Sequence, residues 1–276
     1  MPRNQDARPH FPDFFDFFDS FFTRMPDPTS NERRPLLLIA DSHVRSGKNS
    51  FGAFFQMLSW IETTNYDVVF LGDIMELWIG LKGYEEEIHK RFLSWCAAEK
   101  KHRKIYFLEG NHEYFVLPGH ARYFTKAAHD ELRIGGLLLT HGDTLAATPA
   151  HLRFRWWCKS RLAWFLLRFM PFAKSCVRLI KRKLERKSRM RKKAFPERAL
   201  SSWSAEQFQS NAPPNAILAG HFHKQFQIKR KDGTLFAVLP AWMDRGEVAL
   251  YLPDENKLFF HNWHSMRAPK KRKDTN

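Results

Sequence analysis

Five short apolar runs, each followed at once by a cluster of Asp, Asn, His and Gly, constrain this chain more than any other feature. The runs are Leu36 to Ala40, Asp67 to Leu71, Ile105 to Leu108, Leu137 to Thr140 and Ala216 to Ala219. Four or five residues of this kind suit strands buried on both faces. Behind them stand Asp41-Ser42-His43, Gly72-Asp73-Ile74-Met75-Glu76, Gly110-Asn111-His112-Glu113, His141-Gly142-Asp143 and Gly220-His221-Phe222-His223. Polar groups placed just beyond strand ends converge along a sheet edge, where open α/β folds keep their sites. One such cluster alone reads as a turn or a satisfied polar pair; five in this order read as a site.

The donors in these clusters are carboxylates, imidazoles and an amide. Such a set suits borderline or hard divalent ions, Mn²⁺ foremost with Fe²⁺ and Zn²⁺ compatible, whereas thiolates would select zinc. The cysteines Cys96, Cys158 and Cys176 are far apart and form no C-x-x-C, so neither a disulfide framework nor a thiolate zinc site is expected. That usage fits a reducing compartment. Residues Met1 to His10 lack the pattern of a secretory signal, and no run of about 18 apolar residues predicts a membrane span.

The chain of 276 residues carries a formal net charge of +16. Between His151 and Lys193, 16 Lys and Arg face the single acid Glu185, a net of +15 that leaves +1 for the remainder. One segment therefore meets something anionic: a phosphate ester, an acidic membrane face or a nucleic acid. Its first half also holds Trp156, Trp157, Trp164, Phe165, Leu166, Leu167, Phe169, Met170 and Phe172, and Pro171 divides it into two expected helices. The expected organisation is an extension at 1–33 whose recurrent Phe residues suggest an amphipathic helix, a core at 34–150 and 195–265, a helical insertion at 151–194, and a disordered basic tail at 266–276. The runs near Phe226, Leu235, Val248 and Leu258 read as antiparallel strands separated by turn residues such as Asp232-Gly233.

The motif series resembles that of the calcineurin-like metallophosphoesterases from Leu36 to His223. That resemblance implies an α/β fold, a β-sandwich flanked by helices, with a two-metal site at the sheet edge. Carried over motif by motif, Asp41, His43 and His223 would hold one metal, Asn111, His141 and His221 the other, and Asp73 would bridge them. Cations about 3.5–4 Å apart need such an anionic bridge. His112 would stand near the phosphoryl oxygen or leaving group as electrostatic stabiliser or general acid, and Glu76 and Asp143 would orient ligands.

Further details are similar to the UDP-2,3-diacylglucosamine pyrophosphatases of lipid A synthesis: Glu76-Leu77-Trp78-Ile79-Gly80, His141-Gly142-Asp143-Thr144-Leu145, and the basic, aromatic insertion after the fourth motif. The resemblance implies hydrolysis of that lipid-linked nucleotide to UMP and 2,3-diacylglucosamine 1-phosphate, with the insertion as a lid over the acyl chains. The composition agrees independently. Trp157, Trp164 and Phe165, with their apolar neighbours, can line a trough, and Arg153, Arg155, Arg161 and Arg168 can pair with the pyrophosphate or lipid headgroups. The third motif departs from this narrower family, which usually has Arg where this chain has His112 and Asp where it has Glu113. The rival readings are another metallophosphoesterase acting on a lipid or nucleotide phosphodiester or pyrophosphate, and a nuclease on the same metal core; the continuous apolar face before Pro171 favours lipid over nucleic acid. The resulting expectation is a monomeric cytoplasmic enzyme, peripherally associated with the inner membrane through its anionic surface.

Overall fold

The computed structural model describes residues 33–47, 49–187 and 194–267. The Phe-rich extension up to residue 32 and the basic tail from residue 268 lie outside the described residues, as do 188–193 of the insertion.

All five apolar runs are strands. In the first sheet are β1 (Leu36–Ile39), β2 (Asp67–Leu71), β4 (Ile105–Leu108), β6 (Lys126–Ala128), β12 (Glu247–Leu252) and β13 (Lys257–Asn262), in the order β13-β12-β1-β2-β4-β6. The second comprises β7 (Glu131–Ile134), β8 (Leu137–Thr140), β9 (Ala216–Ala219), β10 (Phe226–Lys229) and β11 (Leu235–Val238), in the order β10-β11-β9-β8-β7. A small pair, β3 (Trp78–Ile79) and β5 (Glu113–Tyr114), runs parallel beside them. Within the sheets β1, β2, β4 and β6 are parallel, as are β8, β9 and β11. The expected set of antiparallel final strands is corrected at one place: β11 pairs antiparallel with β10 but parallel with β9.

Alternate residues of the runs face opposite layers, as the strand period of two requires. Leu36, Leu38, Val69, Leu71, Tyr106 and Leu108 of the first sheet share one core with Leu137, Leu139, Leu218, Leu235 and Ala237 of the second. Their neighbours point outward and are buried under helices. Helix α1 (Asn49–Glu62) buries Phe54, Met57, Leu58 and Ile61, and α2 (Glu87–Glu99) buries Ile88, Phe92 and Cys96, each set at helical spacing. Phe92 meets Phe70 of β2 edge-to-face with ring centroids 4.9 Å apart. On the second sheet, Leu200 and Trp203 pack against Leu138, Ile217 and Phe236. The result is the expected β-sandwich flanked by helices, with every position of β1, β2, β4, β8 and β9 buried.

The remaining helices are α3 (Val116–His120), α4 (Pro149–Cys158), α5 (Arg161–Phe169), α6 (Ala173–Lys187), α7 (Glu197–Phe208, which supplies Leu200 and Trp203), α8 (Trp242–Arg245) and α9 (Trp263–Arg267). The described residues of the insertion thus form three helices rather than two. Pro171 ends the second, with Met170 in extended conformation before it. The unforeseen break lies at Ser160, whose Oγ accepts the Ala163 N–H at 3.1 Å and caps α5. Helix α4 starts on Thr148, which caps it in the same way, with Pro149 at the first helical position. Cys96, Cys158 and Cys176 are free thiols. No helix among the described residues is long and apolar enough to cross a membrane.

Candidate metal centre

The polar clusters gather from two sheets rather than one edge. The loops after β1, β2 and β4 bring Asp41, His43, Asp73, Asn111 and His112, and those after β8 and β9 bring His141, His221 and His223. Backbone hydrogen bonds sew the loops together: Asp41 N–H to Gly72 O at 3.1 Å, His43 N–H to Asp73 O at 2.9 Å, and Gly220 N–H to His141 O at 3.0 Å.

Three overlapping groups have ligand atoms within 4.8 Å of one another: Asp41, His43 and His223; His43, Asp73 and His112; Asp73, His141 and His221. Asp73 is shared by two of them. Its Oδ2 lies 3.7 Å from His43 Nε2 and 3.5 Å from His141 Nε2. The Asn111 side-chain oxygen lies 3.4 Å from the same His141 nitrogen. All seven positions expected to hold metal therefore face one small volume.

The local backbone is strained to achieve this. Asp41, His43, Asp73, His221 and His223 have φ of 51°, 42°, 52°, 71° and 52°, a left-handed region that costs non-glycine residues about 1–2 kcal/mol each. Strain of this kind persists where surrounding structure over-determines it, and it clusters at functional sites. Gly110 answers a different demand: a Cβ there would collide with Asp73 Oδ1.

The donors also fit cations chemically. His141 Nδ1 donates to the Leu71 carbonyl at 2.9 Å, which fixes the tautomer and turns Nε2 toward Asp73. Burial works against charging His141, but Asp73 and Asp41 raise its pKa to about 10, a sign that positive charge is wanted there. His43 and His221, by contrast, are held down to about 4 by burial and are ready as neutral ligands. Asp41 Oδ2 accepts the His221 N–H at 2.8 Å, and its buried Oδ1 lies 3.2 Å from His223 Nε2, so the carboxylate and the imidazole face each other as two ligands of one ion would.

His112 Nδ1 donates to the Glu76 carbonyl at 2.5 Å, and its N–H donates to Asp73 Oδ1 at 2.8 Å. Burial opposes its charged form, yet Asp73 and the Glu76 carbonyl raise its pKa above the ordinary value. The Glu76 carboxylate receives both Nε and Nη2 of Arg45 at 2.9 Å and lies 3.8 Å from His43 Nδ1.

Glu113 is a site residue whose role was not legible from its motif. Its carboxylate is wholly buried and accepts the N–H groups of Asp73, Ile74 and Gly110 at 2.7 Å each, joining the second and third motifs. Burial and the Asp73 charge push its pKa up to about 7 against those hydrogen bonds. A glutamate directly after Asn111-His112 was the available signal. Trp78 is no site residue: it is fully buried, and its ring stacks on His89 and His120.

The insertion stands beside the metal loops, and one expectation about it is corrected. Arg155 cannot serve the substrate freely, because its guanidinium is committed to Asp143 at 2.6 Å and to Asp130. Asp143 is correspondingly spent on Arg155. Arg153, Arg161 and Arg168 are exposed, as are Trp157, Trp164 and Phe165. Every exposed large apolar side chain among the described residues lies between Leu152 and Ile180, with Trp156 at 74% and Phe172 at 73% exposure. Trp157 and Phe165 keep about half of their surface exposed and Trp164 keeps 37%, an apolar patch of the kind that marks an interaction site.

A calcineurin-like phosphoesterase family model matches residues 34–225. A UDP-2,3-diacylglucosamine hydrolase of Shewanella loihica is 24% identical over 234 residues, covering 80% of this chain and 94% of that protein. One from Pseudomonas fluorescens is 26% identical over 240 residues, covering 80% and 92%. A solved dimetal phosphatase from Danio rerio aligns over 84% of this chain and 100% of its own, at 14% identity and a TM-score of 0.40. With the family match taking in β1 to β9 and all five motif loops, this metal-dependent phosphoesterase belongs to the calcineurin-like phosphoesterase family.

Proposed function

We propose that the protein is a two-metal hydrolase that cleaves the pyrophosphate of UDP-2,3-diacylglucosamine to UMP and 2,3-diacylglucosamine 1-phosphate. The observation that carries this reading is the insertion, whose exposed aromatic and aliphatic side chains and surplus of Lys and Arg stand beside a donor set for two cations. A diacylated, doubly phosphorylated substrate asks for that combination of apolar trough and positive charge. A small diester would not need the trough. The similar Shewanella and Pseudomonas proteins, named for this hydrolysis, support the same choice.

In this reading Asp41, His43 and His223 would hold one cation and Asn111, His141 and His221 the other, with Asp73 available to both. The mixed oxygen and imidazole donors accommodate Mn²⁺, Fe²⁺ or Zn²⁺, of which Mn²⁺ is the ion proposed. When bound, the cations supply Lewis-acid activation of water and of the phosphoryl oxygens. Protein groups supply the rest. His112, with Nδ1 fixed by Glu76 and its charged form favoured by Asp73, offers Nε2–H to the oxygen on which negative charge develops. Arg45 holds Glu76, whose carboxylate stands 3.8 Å from His43 Nδ1 and biases the ring electrostatically. Trp157, Trp164 and Phe165 contact acyl chains, while Arg153, Arg161 and Arg168 serve the pyrophosphate or anionic headgroups. The same exposed face rests on an anionic membrane surface from the cytoplasmic side.

Incubation with UDP-2,3-diacylglucosamine and Mn²⁺ followed by mass spectrometry tests this directly. UMP and 2,3-diacylglucosamine 1-phosphate are expected. Their absence, with turnover of simple diesters retained, would withdraw the substrate and leave the phosphoesterase.

A further inference from the structure

Helix α4 grips the two loops that carry Asn111 and His141. Arg155 lies in its last turn and Lys159 is the residue that caps its C-terminus, four positions on and so on the same side. Arg155 Nε donates to Asp143 Oδ2 at 2.6 Å, two residues after His141. Lys159 Nζ donates to the carbonyl of Gly110 at 2.9 Å, one residue before Asn111, and lies 3.5 Å from Glu109 Oε2. Both cationic side chains are mostly covered, at 16% and 14% exposure, and their carboxylate partners Asp143 and Glu109 are buried. Charge-assisted bonds in such surroundings hold geometry tightly. The Gly110 peptide is fixed from both ends, since its N–H is taken by Glu113. Among the described residues none of the hydrogen bonds or ion pairs of α4 reaches Asp41, His43 or His223.

We infer that α4 is a strut for one cation position only: Arg155 and Lys159 are positioning residues that set Asn111 and His141, so docking of the lid and occupancy of that position are coupled. The inference rests on the two-cation reading above. Its physical content is linkage. Whatever frees α4 from Asp143 and Gly110 loosens the Asn111–His141 pair, and a cation held there secures α4 in return. The first helix of the lid thereby belongs to the metal centre as well as to the acyl-chain surface.

The test is Mn²⁺ titration of metal-stripped, full-length protein by calorimetry and electron paramagnetic resonance, beside circular dichroism to verify folding. Wild type is expected to take two cations and to show a spin-coupled pair. In Lys159→Met and Arg155→Met one cation is expected to weaken about 10–100-fold, the range for losing partners of metal ligands, while the other is unchanged. At one equivalent the signal should then be that of an isolated ion. Lys181→Met is the comparison: it frees the lid from Glu86, which is hydrogen-bonded to Ser46 of the β1 loop and not to the Asn111 or His141 loops, and both cations should bind as in wild type. If Lys159→Met does not fold, Arg155→Met carries the test. Two unweakened cations in the folded variants, equal weakening of both, or the same weakening in Lys181→Met would overturn the strut. Fewer than two cations in wild type would instead overturn the two-cation reading.

Discussion

Glu113 Oε2 accepts the backbone N–H of Asp73 across 2.7 Å, so the loop carrying the central carboxylate is hung from a residue of the third motif. Glu113→Gln replaces one of its oxygens with an NH₂ that faces donors. Each hydrogen bond to a charged group contributes about 1.5–3 kcal/mol. We therefore expect a fall in Tm of about 5–10 °C by calorimetry, together with a fall in kcat larger than any change in KM. An unchanged Tm would mean that this carboxylate does not hold the loop.

Asp73 is the shared member of two donor groups. Asp73→Ala is expected to reduce kcat more than about 100-fold, beyond what losing a partner of a metal ligand costs. Its circular dichroism should match wild type, because the Asp73 backbone keeps its hydrogen bonds to His43 and Glu113. Turnover within a few-fold of wild type would remove Asp73 from the chemistry.

Trp164 and Phe165 are exposed on α5, and both rings lean on Phe169 at centroid distances of 6.3 and 4.8 Å. Changing both to Gln should raise KM for a diacylated nucleotide at least about tenfold, since each buried CH₂ contributes about 0.8 kcal/mol. Hydrolysis of bis-p-nitrophenyl phosphate should be spared. Equal loss on both substrates would assign these rings to stability alone.

Trp156 and Phe172 are the most exposed aromatic side chains of the insertion. Flotation with anionic phospholipid vesicles is expected for the wild type and should fall several-fold in Trp156→Ser/Phe172→Ser. Retention on RNA or DNA in a shift assay, without flotation, would favour the nuclease reading. Salt sensitivity does not separate the two, because both contacts are screened.

The strands and the metal loops were legible in the sequence for one reason: a buried parallel strand is a continuous apolar run, and here each run ends abruptly in donors. Leu36 to Ile39 followed by Asp41 shows both signals within six residues. What escaped were facts about partners rather than periods. The parallel pairing of β11 with β9 depends on a neighbour far away in the chain. Arg155 and Lys159 look like any other members of a basic run until Asp143 and the Gly110 carbonyl stand opposite them. Glu113 lies inside a recognised motif, yet its task is set by backbone N–H groups, which are the same in every sequence. Ser160 was readable as a helix cap, but Pro171 is the stronger punctuation in that stretch.

In the proposed function, two cations held by Asp41, His43, Asp73, Asn111, His141, His221 and His223 carry the hydrolysis. Stripping the protein of metal and titrating Mn²⁺ back while following hydrolysis of bis-p-nitrophenyl phosphate tests it most directly. Activity should be absent without metal and should plateau at two equivalents per chain. Full activity in the stripped sample would contradict it.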